Sequence, residues 1–393
     1  MNTLGSWQLP EELRLLQETT RRFMEREVRP VEANEPHDSW KLPKEKLEPL
    51  QAKARATGLW CVQTPEEYGG AGLNLLGQCL VAEEAAQCKM GPYIPACGAF
   101  GFDPPNIIFS GTREQIEKYA IPSIDKGEKS FVAITEASGG SDPARAIQTR
   151  AARKGDRYII NGTKIFISGA SEASWGVVFA RTGGPGREGI TAFIVETNKP
   201  GLTISPIPVI RSYYPYEVHF DNYEVPAENV LGKEGKGFQI AEKWLVHGRV
   251  PYAAATIGLG QASLEIAIDW AKQRETFGAR LADRQAIQWL LVDSEIELRA
   301  ARMLVFDAAW KADRGEDIKL DAAIAKVYGT ETAGRVVDRC IQVLGGMGVA
   351  CEMPLERWYR ELRIKRIGEG PSEIMRMVIA RNMLGGGRGG PRG

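Results

Sequence analysis

The stretch Tyr158-Ile-Ile-Asn161-Gly162-Thr-Lys-Ile-Phe166-Ile decides the fold class of this 393-residue chain. Apolar and β-branched residues on both sides of an Asn-Gly pair are typical of two strands joined by a two-residue turn. Further strands, separated by Gly, Pro and Asn, are predicted after it at residues 175–181, 190–196, 202–207 and 216–225. Residues 129–236 are therefore predicted to form an antiparallel β-sandwich or barrel.

Amphipathic helices are predicted on both sides of this β domain. Apolar residues recur at helical spacing over residues 11–29, 44–58, 73–88 and 112–121 before it. Stripes of period 3.6 predict longer helices at 238–273, with a bend near Pro251, and at 285–314 and 319–344. The fold class is thus α+β: an N-terminal helical domain (1–128), the β domain (129–236), a C-terminal four-helix bundle (237–384) and a disordered glycine-rich tail (385–393).

The composition is that of an ordinary globular protein without a strong electrostatic field. Fifty basic residues balance fifty acidic ones, so neither nucleic acid nor a membrane surface is expected as a partner. No apolar run reaches the roughly 18 residues that span a bilayer, and no signal peptide is predicted, so the expected location is cytoplasmic. The six cysteines lack CxxC spacing, and of the three histidines His37 is expected in a solvated loop and His219 in a strand. No metal site is predicted.

A stretch near the C-terminus, Arg366-Ile-Gly-Glu369-Gly-Pro371-Ser-Glu-Ile-Met-Arg376, places one carboxylate between two glycines. Pro371 is expected as the first residue of a helix over 372–384, because its fixed φ suits that position. The glycines leave a thin backbone against which a flat ligand can lie, and N–H groups at the helix start can hydrogen-bond an oxyanion. The alternative is an ordinary loop glutamate that the helix dipole favours.

A glycine- and serine-rich turn, residues 134–142, stands at the entry to the β domain. Its small side chains and N–H groups suit a phosphate or the edge of a flat ring, while a plain interdomain turn is the alternative. The turn lacks the G-x-G-x-x-G pattern between a strand and a helix, so a Rossmann domain is not predicted.

Two more motifs lie in the C-terminal helices. Residues 274–278 (Arg-Glu-Thr-Phe-Gly) end a long helix, where a guanidinium can pair with a phosphate or serve only the helix dipole. Residues 342–348 (Gln-Val-Leu-Gly-Gly-Met-Gly) allow a ligand to approach the backbone closely, or are a plain helix C-cap.

The order of these motifs along the chain is more specific than any one of them. In sequence they are Thr135-Glu136…Gly140-Ser141-Asp142, Asn161-Gly162-x-Lys164-x-Phe166-Ile-Ser168, Arg274-x-x-Phe277-Gly278, Gln342-x-x-Gly345-Gly346-x-Gly348 and Glu369-Gly370-x-Ser372. This series closely resembles the acyl-CoA dehydrogenase family in order and spacing, over about residues 10–385. The α, β, α succession of the chain agrees with the resemblance.

The resemblance implies an FAD enzyme that oxidises an acyl-CoA thioester to the 2,3-enoyl-CoA. In the family a carboxylate removes the α-proton while the β-hydrogen leaves as hydride to the flavin. Glu369 matches the position of this base in many members; other members carry it just before the arginine that Arg249 matches, where this chain has Gly248. The thioester oxygen is then expected to accept from the backbone N–H of Glu369 and from a flavin ribose hydroxyl.

The resemblance also implies binding residues. The flavin is expected to contact residues of the β domain, namely Ile134, Thr135, Gly140, Ser141, Phe166 and Ser168. The pyrophosphate and adenosine are expected to contact Arg274, Phe277, Gln285, Gln342, Gly345 and Gly346 across a subunit interface, with Pro371 and Glu373 on the flavin side of the base. The substrate is expected to contact Ser141, Arg249, Gly368 and Gly370. Sharing of the cofactor implies a homo-oligomer, usually a dimer of dimers.

Several positions depart from the family pattern. Phe166 replaces a common tryptophan, and Pro371 replaces a common threonine. Gly368 replaces a common tyrosine before the base and is expected to widen the acyl pocket, and tyrosines in residues 211–216 either shape a bulkier acyl site or form a surface loop. The expected electron acceptor is an electron-transfer flavoprotein; the alternatives are an O2-using flavoenzyme such as an acyl-CoA oxidase, or a flavin-poor partner subunit of a mixed oligomer.

Overall fold

The computed structural model describes residues 9–385, and these divide into two compact units. The helical unit contains the described residues up to Leu59, Leu73–Ala99 and those from Val246 onward. The sheet unit contains Trp60–Gly72 and Phe100–Leu245. Residues 386–393 of the predicted tail, and residues 1–8 of the predicted first domain, lie outside the described part, and the predicted domain boundaries stay predictions.

The sheet unit is built on a mixed sheet which, within the described residues, has eight strands. They are β1 (Phe131–Ala133), β2 (Arg150–Lys154), β3 (Arg157–Ile167), β4 (Trp175–Arg181), β5 (Ile190–Glu196), β6 (Leu202–Pro206), β7 (Tyr216–Pro226) and β8 (Val230–Leu231). The order is β6-β7-β3-β2-β4-β5-β8, with β1 beside β4. Most pairs are antiparallel as predicted, but β4 runs parallel to both β1 and β2.

The predicted Asn161-Gly162 hairpin is wrong, because both residues lie inside the single long strand β3. The turn lies earlier, at Gly155, whose φ is +65° and which links β2 to β3. The register of β3 against β7 shifts between Ile160 and Gly162, and a Cβ at Gly162 would lie 2.4 Å from the Thr149 hydroxyl. Gly162 therefore lies at a β-bulge, where the closeness of Thr149 leaves no room for a side chain.

The strands at the centre of this sheet are buried on both faces. Val177 and Phe179 pack on one side, and Val178 packs on the other. Because successive side chains alternate between the faces of a strand, a continuous apolar run such as β4 requires cover on both sides. The sheet is thus the middle layer of its unit.

Within residues 9–385 the chain also forms α-helices and short 3-10 or π turns. The α-helices are α1 (Glu11–Phe23), α2 (Arg29–Glu32), α3 (Lys44–Ala56), α4 (Leu75–Ala85), α5 (Arg113–Gln115), α6 (Ile121–Lys126), α7 (Pro143–Ala146), α8 (Gly237–Gln273), α9 (Gln285–Asp313), α10 (Lys319–Leu344), α11 (Leu355–Lys365) and α12 (Ser372–Met383). π turns occur at Met24–Val28 and Ile116–Ala120, and a small hairpin joins β9 (Glu275–Thr276) to β10 (Ala279–Arg280). The 3-10 turns are Glu66–Tyr68, Gly91–Tyr93, Pro95–Gly98, Asn106–Ser110, Arg187–Gly189, Ala227–Asn229, Leu281–Asp283 and Gly345–Val349.

The core of the helical unit lies between its long helices. Helix α10 packs against α9, α11 and α12, and small residues let it approach α8, since a Cβ at Gly329 would meet the Ala253 methyl at 3.3 Å. The predicted bend at Pro251 does not interrupt α8, which is continuous. This packing confirms the α+β class with helical segments before and after the sheet. It also places the connection between α11 and α12 against α10.

Among the described residues no helix is both long and apolar enough to cross a membrane.

Candidate functional site

The connection between α11 and α12, residues 366–371, carries the predicted base and is called the base loop here. Glu369 has a φ of +55°, in the left-handed region that non-glycine residues rarely adopt. Gly370 follows with a φ of +101°, and a Cβ there would lie 2.7 Å from the Met375 methyl. A backbone in this conformation persists only when its surroundings hold it, and such positions concentrate at functional sites.

Two cations from the neighbouring helices hold the base loop. The Lys326 ammonium of α10 donates to the carbonyl of Gly370 at 2.7 Å and to that of Arg366 at 3.2 Å. The Arg249 Nε of α8 donates to the carbonyl of Glu369 at 2.9 Å. The loop is thus fixed at both ends and at the base itself, by bonds to backbone rather than to side chains.

The Glu369 carboxylate is enclosed although the loop backbone is partly exposed. Its Oε2 is sealed from solvent and has no hydrogen-bond partner among the described residues. Burial raises the pKa of Glu369 above its usual value, and the charges of Lys365, Arg249 and Lys326 oppose that rise. In turn, burial lowers the pKa of Lys326 to about 8, with Glu369 opposing. A sealed carboxyl oxygen with a raised pKa is suited to accept a proton from a bound ligand.

Gly248 of α8 faces this carboxylate directly. A Cβ built at Gly248 would lie 3.5 Å from Glu369 Oε2. Positions 248 and 369 can therefore present a carboxyl group to the same small region. Arg249 contacts the base loop, where its guanidinium would also lie 3.3 Å from a Cβ at Gly370. Its contact with substrate stays a prediction.

The Tyr252 hydroxyl lies close to the backbone at Gly368. A Cβ at position 368 would lie 2.6 Å from the Tyr252 hydroxyl oxygen and 3.8 Å from that of Tyr93. A larger residue at this position would therefore require Tyr252 to move. The predicted widening of the acyl pocket at Gly368 stays a prediction.

Pro371 was predicted as the first residue of the helix, but it is the residue that precedes the helix. Its ψ of 153° is extended, and α12 begins at Ser372. Glu373 is exposed in the first turn of that helix, where a carboxylate is favourable. Their predicted contacts with a flavin stay predictions.

In the sheet unit, the turn at residues 134–142 is anchored by a buried ion pair. The Lys164 ammonium of β3 lies 2.8 Å from Glu136 Oε1 and donates to the Ile134 carbonyl at 3.0 Å. Glu136 also accepts from the backbone N–H groups of Gln148 and Thr149. Because every charge in this arrangement has partners, the turn is held rigidly against the sheet.

The predicted flavin residues of the sheet unit lie beside this anchor. Ile165 N–H donates to the Thr135 carbonyl at 2.9 Å, and the next residue, Phe166, is 56% exposed with a φ of +58°. Ser168 is exposed and accepts from Arg211 at 3.2 Å. Gly140 lies over Thr135, since a Cβ there would meet the Thr135 methyl at 3.1 Å.

These residues fit a flat, partly polar ring such as a flavin. A large aromatic side chain held outward in a left-handed backbone is unusual without a ligand to cover it. The neighbouring turn supplies small residues and hydroxyl groups, which suit the polar edge of such a ring. The structure thus brings Ile134, Thr135, Gly140 and Phe166 together, while the ligand contacts themselves stay predictions.

The predicted pyrophosphate and adenosine residues are exposed on the helical unit. Phe277 is 99% exposed in the β9–β10 turn, with the guanidinium of Arg284 5.8 Å from its ring centre. Arg274, Gln285, Gln342, Gly345 and Gly346 are also exposed. Within residues 9–385 nothing lies within 4 Å of a Cβ built at Gly345 or Gly346. These positions are accessible to a ligand, and their place in one binding site stays a prediction.

Sequence motifs missed the residues that hold and surround the base. Lys326 stands within the buried stripe of α10, where a lysine in an otherwise small and apolar face was the available signal. Lys365, Tyr93 and Tyr252 belong to no motif and meet only in the folded chain.

His37 is less exposed than the solvated loop residue that was predicted. It is half-buried with Nε2 2.6 Å from Glu356, and Cys351 lies within 4.8 Å of both side chains.

The cation that holds the base loop provides a direct structural test. We expect Lys326→Met to remove the ammonium donor from the Gly370 carbonyl, while the Arg366 carbonyl keeps the Ser372 N–H as a donor. A buried carbonyl that loses its donor costs about 1–3 kcal/mol. Hydrogen exchange of residues 366–372 should speed up, and the unfolding temperature should fall. Lys272→Met, on the exposed face of α8, is the control. Unchanged exchange in the loop of the Lys326 variant would contradict the assignment.

Comparisons with known proteins cover almost the whole chain. Family models of the N-terminal, middle and C-terminal domains of acyl-CoA dehydrogenase match residues 10–128, 132–223 and 235–384. The mitochondrial short-chain specific acyl-CoA dehydrogenase of Rattus norvegicus is 37% identical, over 96% of this chain and 92% of that protein. The 3-(aryl)acrylate reductase of Clostridium sporogenes is 36% identical, over 95% of this chain and 99% of that protein.

The fold agrees with these relatives. The structure of butyryl-CoA dehydrogenase from Megasphaera elsdenii superposes with a TM-score of 0.86 at 33% identity, covering 97% of this chain and 100% of that one. The resemblance seen in the ordered motifs is therefore confirmed over the full fold. The chain belongs to the acyl-CoA dehydrogenase family and is an FAD-dependent oxidoreductase that acts on acyl-CoA thioesters.

Proposed function

We propose that the protein oxidises an acyl-CoA to the trans-2-enoyl-CoA with Glu369 as the base. The observation that supports this most strongly is the sealed, unpartnered Glu369 Oε2 in a loop held by Lys326 and Arg249. A carboxylate that is desolvated and fixed in direction is prepared to take a proton from one atom of a bound substrate. In this family the proton is that of the α-carbon.

The chain's own residues divide this task. Glu369 receives the α-proton, and its backbone N–H is the proposed donor to the thioester oxygen, whose negative charge grows as the proton leaves. Burial raises the pKa of Glu369, and the charges of Lys365, Arg249 and Lys326 oppose that rise and so favour the ionised carboxylate. FAD, when bound, supplies the acceptor for the β-hydride.

The proposed cofactor contacts follow the family resemblance. Phe166, with Ile134, Thr135, Gly140, Ser141 and Ser168, is proposed to contact the flavin. Arg274, Phe277, Gln285, Gln342, Gly345 and Gly346 are proposed to contact the pyrophosphate and adenosine, with Pro371 and Glu373 beside the base. Substrate contacts are proposed for Ser141, Arg249, Gly368 and Gly370. An electron-transfer flavoprotein is the proposed acceptor, and the cytoplasmic location stays a prediction.

A homo-oligomer is proposed because one face of α9 exposes large apolar side chains. Trp289, Val292 and Ile296 are 61%, 53% and 60% exposed and lie at positions i, i+3 and i+7 of that helix. Three large apolar groups on one helical face are typical of a protein interface. A second copy of the chain is the proposed partner, since the family shares its cofactor between subunits.

The role of Glu369 is tested by anaerobic titration of the flavin absorbance with acyl-CoAs. We expect some thioester to bleach the wild-type flavin, and Glu369→Gln to slow bleaching by about 10²–10⁴-fold, the usual contribution of a general base. In the wild type the bleaching rate should fall as the pH drops through a pKa above the ordinary glutamate value, because only the ionised carboxylate accepts a proton. Equal rates in the two proteins would contradict the proposal.

Oligomer formation is tested by light scattering. Ile296→Asp should lower the molar mass of the particle, since a charge in an apolar interface is strongly unfavourable, and FAD content should fall with it. Leu15→Asp, at a 44% exposed position of α1, is the control. A wild-type protein that is monomeric would refute the proposed interface.

A further inference from the structure

A cluster of three metal-ligating side chains lies at the start of α11, the end of this helix that is farther from the base loop. The His37 ring, the Cys351 thiol and the Glu356 carboxylate each offer a ligand atom, and these atoms all lie within 4.8 Å of one another. His37 Nε2 is 2.6 Å from Glu356 Oε1. His37 and Glu356 are half-buried and Cys351 is exposed, so an ion from solvent has access to the cluster.

The backbone at His37 is fixed to α11 by a buried arginine. Arg357, which follows Glu356 in the chain, is 1% exposed and donates to the carbonyls of His37 and Ser39 at 2.8 and 2.9 Å. These bonds hold the His37 segment beside Glu356 without using the side chain of either ligand. The cluster is therefore preorganised, which reduces the entropy lost when an ion binds.

Arg360 fixes the carboxylate of Glu356. Its Nε donates to Oε2 at 3.0 Å, and its Nη2 donates to Oε1 at 3.1 Å. Metal-binding carboxylates commonly have such outer hydrogen-bond partners. The Arg360 charge opposes a cation, but Asp38 offsets it, with Oδ1 3.5 Å from Arg360 Nη2 and 3.7 Å from His37 Nε2. Asp38 is also near enough to supply a fourth ligand, a position that a water otherwise takes.

The set of donor atoms distinguishes a metal site from a plain ion pair. An ion pair needs only His37 and Glu356, whereas the thiol of Cys351 beside them adds a third donor. A nitrogen, a sulfur and a carboxylate oxygen together suit Zn²⁺ and related transition-metal ions rather than Mg²⁺ or Ca²⁺, which take oxygen ligands. The sequence predicted no metal site because these ligands come from segments far apart in the chain.

We propose that His37, Cys351 and Glu356 form a binding site for a transition-metal dication such as Zn²⁺. The ion joins the connection between α2 and α3 to the start of α11. The site goes beyond the proposed function, because none of its ligands belongs to the base loop or to the proposed FAD contacts. An ion that binds only the folded chain also stabilises it, so the unfolding temperature should rise with the Zn²⁺ concentration.

Calorimetric titration with Zn²⁺ alone tests the site in the FAD-loaded full chain, after dialysis against a chelator and then against chelator-free buffer. We expect one ion to bind per chain. Cys351→Ser, at an exposed position, and His37→Gln should each weaken binding by about 10-fold or more, since even the outer partners of a metal contribute that much. His219→Gln, at an exposed position of β7, is the control and should leave the affinity unchanged.

Cobalt identifies the ligands directly. Co²⁺ added to the wild type should give the d–d bands of a tetrahedral site and a thiolate charge-transfer band, both in the difference spectrum against the cobalt-free protein. Cys351→Ser should lose the charge-transfer band. A wild type that binds no ion, or whose Zn²⁺ affinity or cobalt spectrum is unchanged by Cys351→Ser, would overturn the inference. Neither readout involves acyl-CoA, so a failure here is distinct from a failure of the proposed function.

Discussion

The structure of the site depends on one buried cation bound to two backbone carbonyls. The Lys326 ammonium joins the carbonyls of Arg366 and Gly370, and so closes the base loop into a short ring around Glu369. Burying an ammonium is unfavourable, and burial lowers the pKa of Lys326. The cost is offset because the same charge satisfies two carbonyls and faces the carboxylate. The left-handed Glu369 is stable in this setting, and it directs a desolvated oxygen at one point.

The surroundings of Glu369 come from residues that belong to different helices and to no common sequence motif. Arg249 holds the base through its backbone, Lys365 acts on its charge, and Gly248 leaves room for its carboxylate. The two chain positions at which the family resemblance places a base, 248 and 369, lie next to each other in the structure. A Cβ at Gly368 would lie 2.6 Å from the Tyr252 hydroxyl, so this neighbour from α8 favours a glycine at that position.

Much of the fold was predictable because its signals are local. Long apolar stripes predicted α8, α9 and α10, and alternating or continuous apolar runs predicted β4, β5 and β7. The Asn161-Gly162 pair predicted a hairpin that does not exist, since the glycine was required by the nearby Thr149 rather than by a turn. The sequence does not distinguish a glycine needed for a turn from one needed for a close contact, because the deciding neighbour, Thr149, lies in another segment, just before β2.

Candidate site residues could be predicted from the sequence only where they belong to a short motif. Glu369 and the exposed Phe166 stand in motifs, whereas Lys326, Tyr252 and Lys365 act through contacts between segments far apart in the chain. Charge on an otherwise small, apolar helical face was the one local signal for Lys326. The closeness of the Tyr252 hydroxyl to Gly368 was not predictable either, because Tyr252 lies on another helix.

The central claim is that a carboxylate at one point in space, fixed by its surroundings, performs the proton transfer. Moving the carboxylate tests it: Glu369→Gly should abolish flavin bleaching by acyl-CoA, and Gly248→Glu added to it should restore the rate. We expect the double variant to react at least about 10-fold faster than the single one, as a repositioned general base would allow. A double variant that binds FAD yet stays as slow as Glu369→Gly, or a Glu369→Gly protein that still reacts normally, would contradict the account.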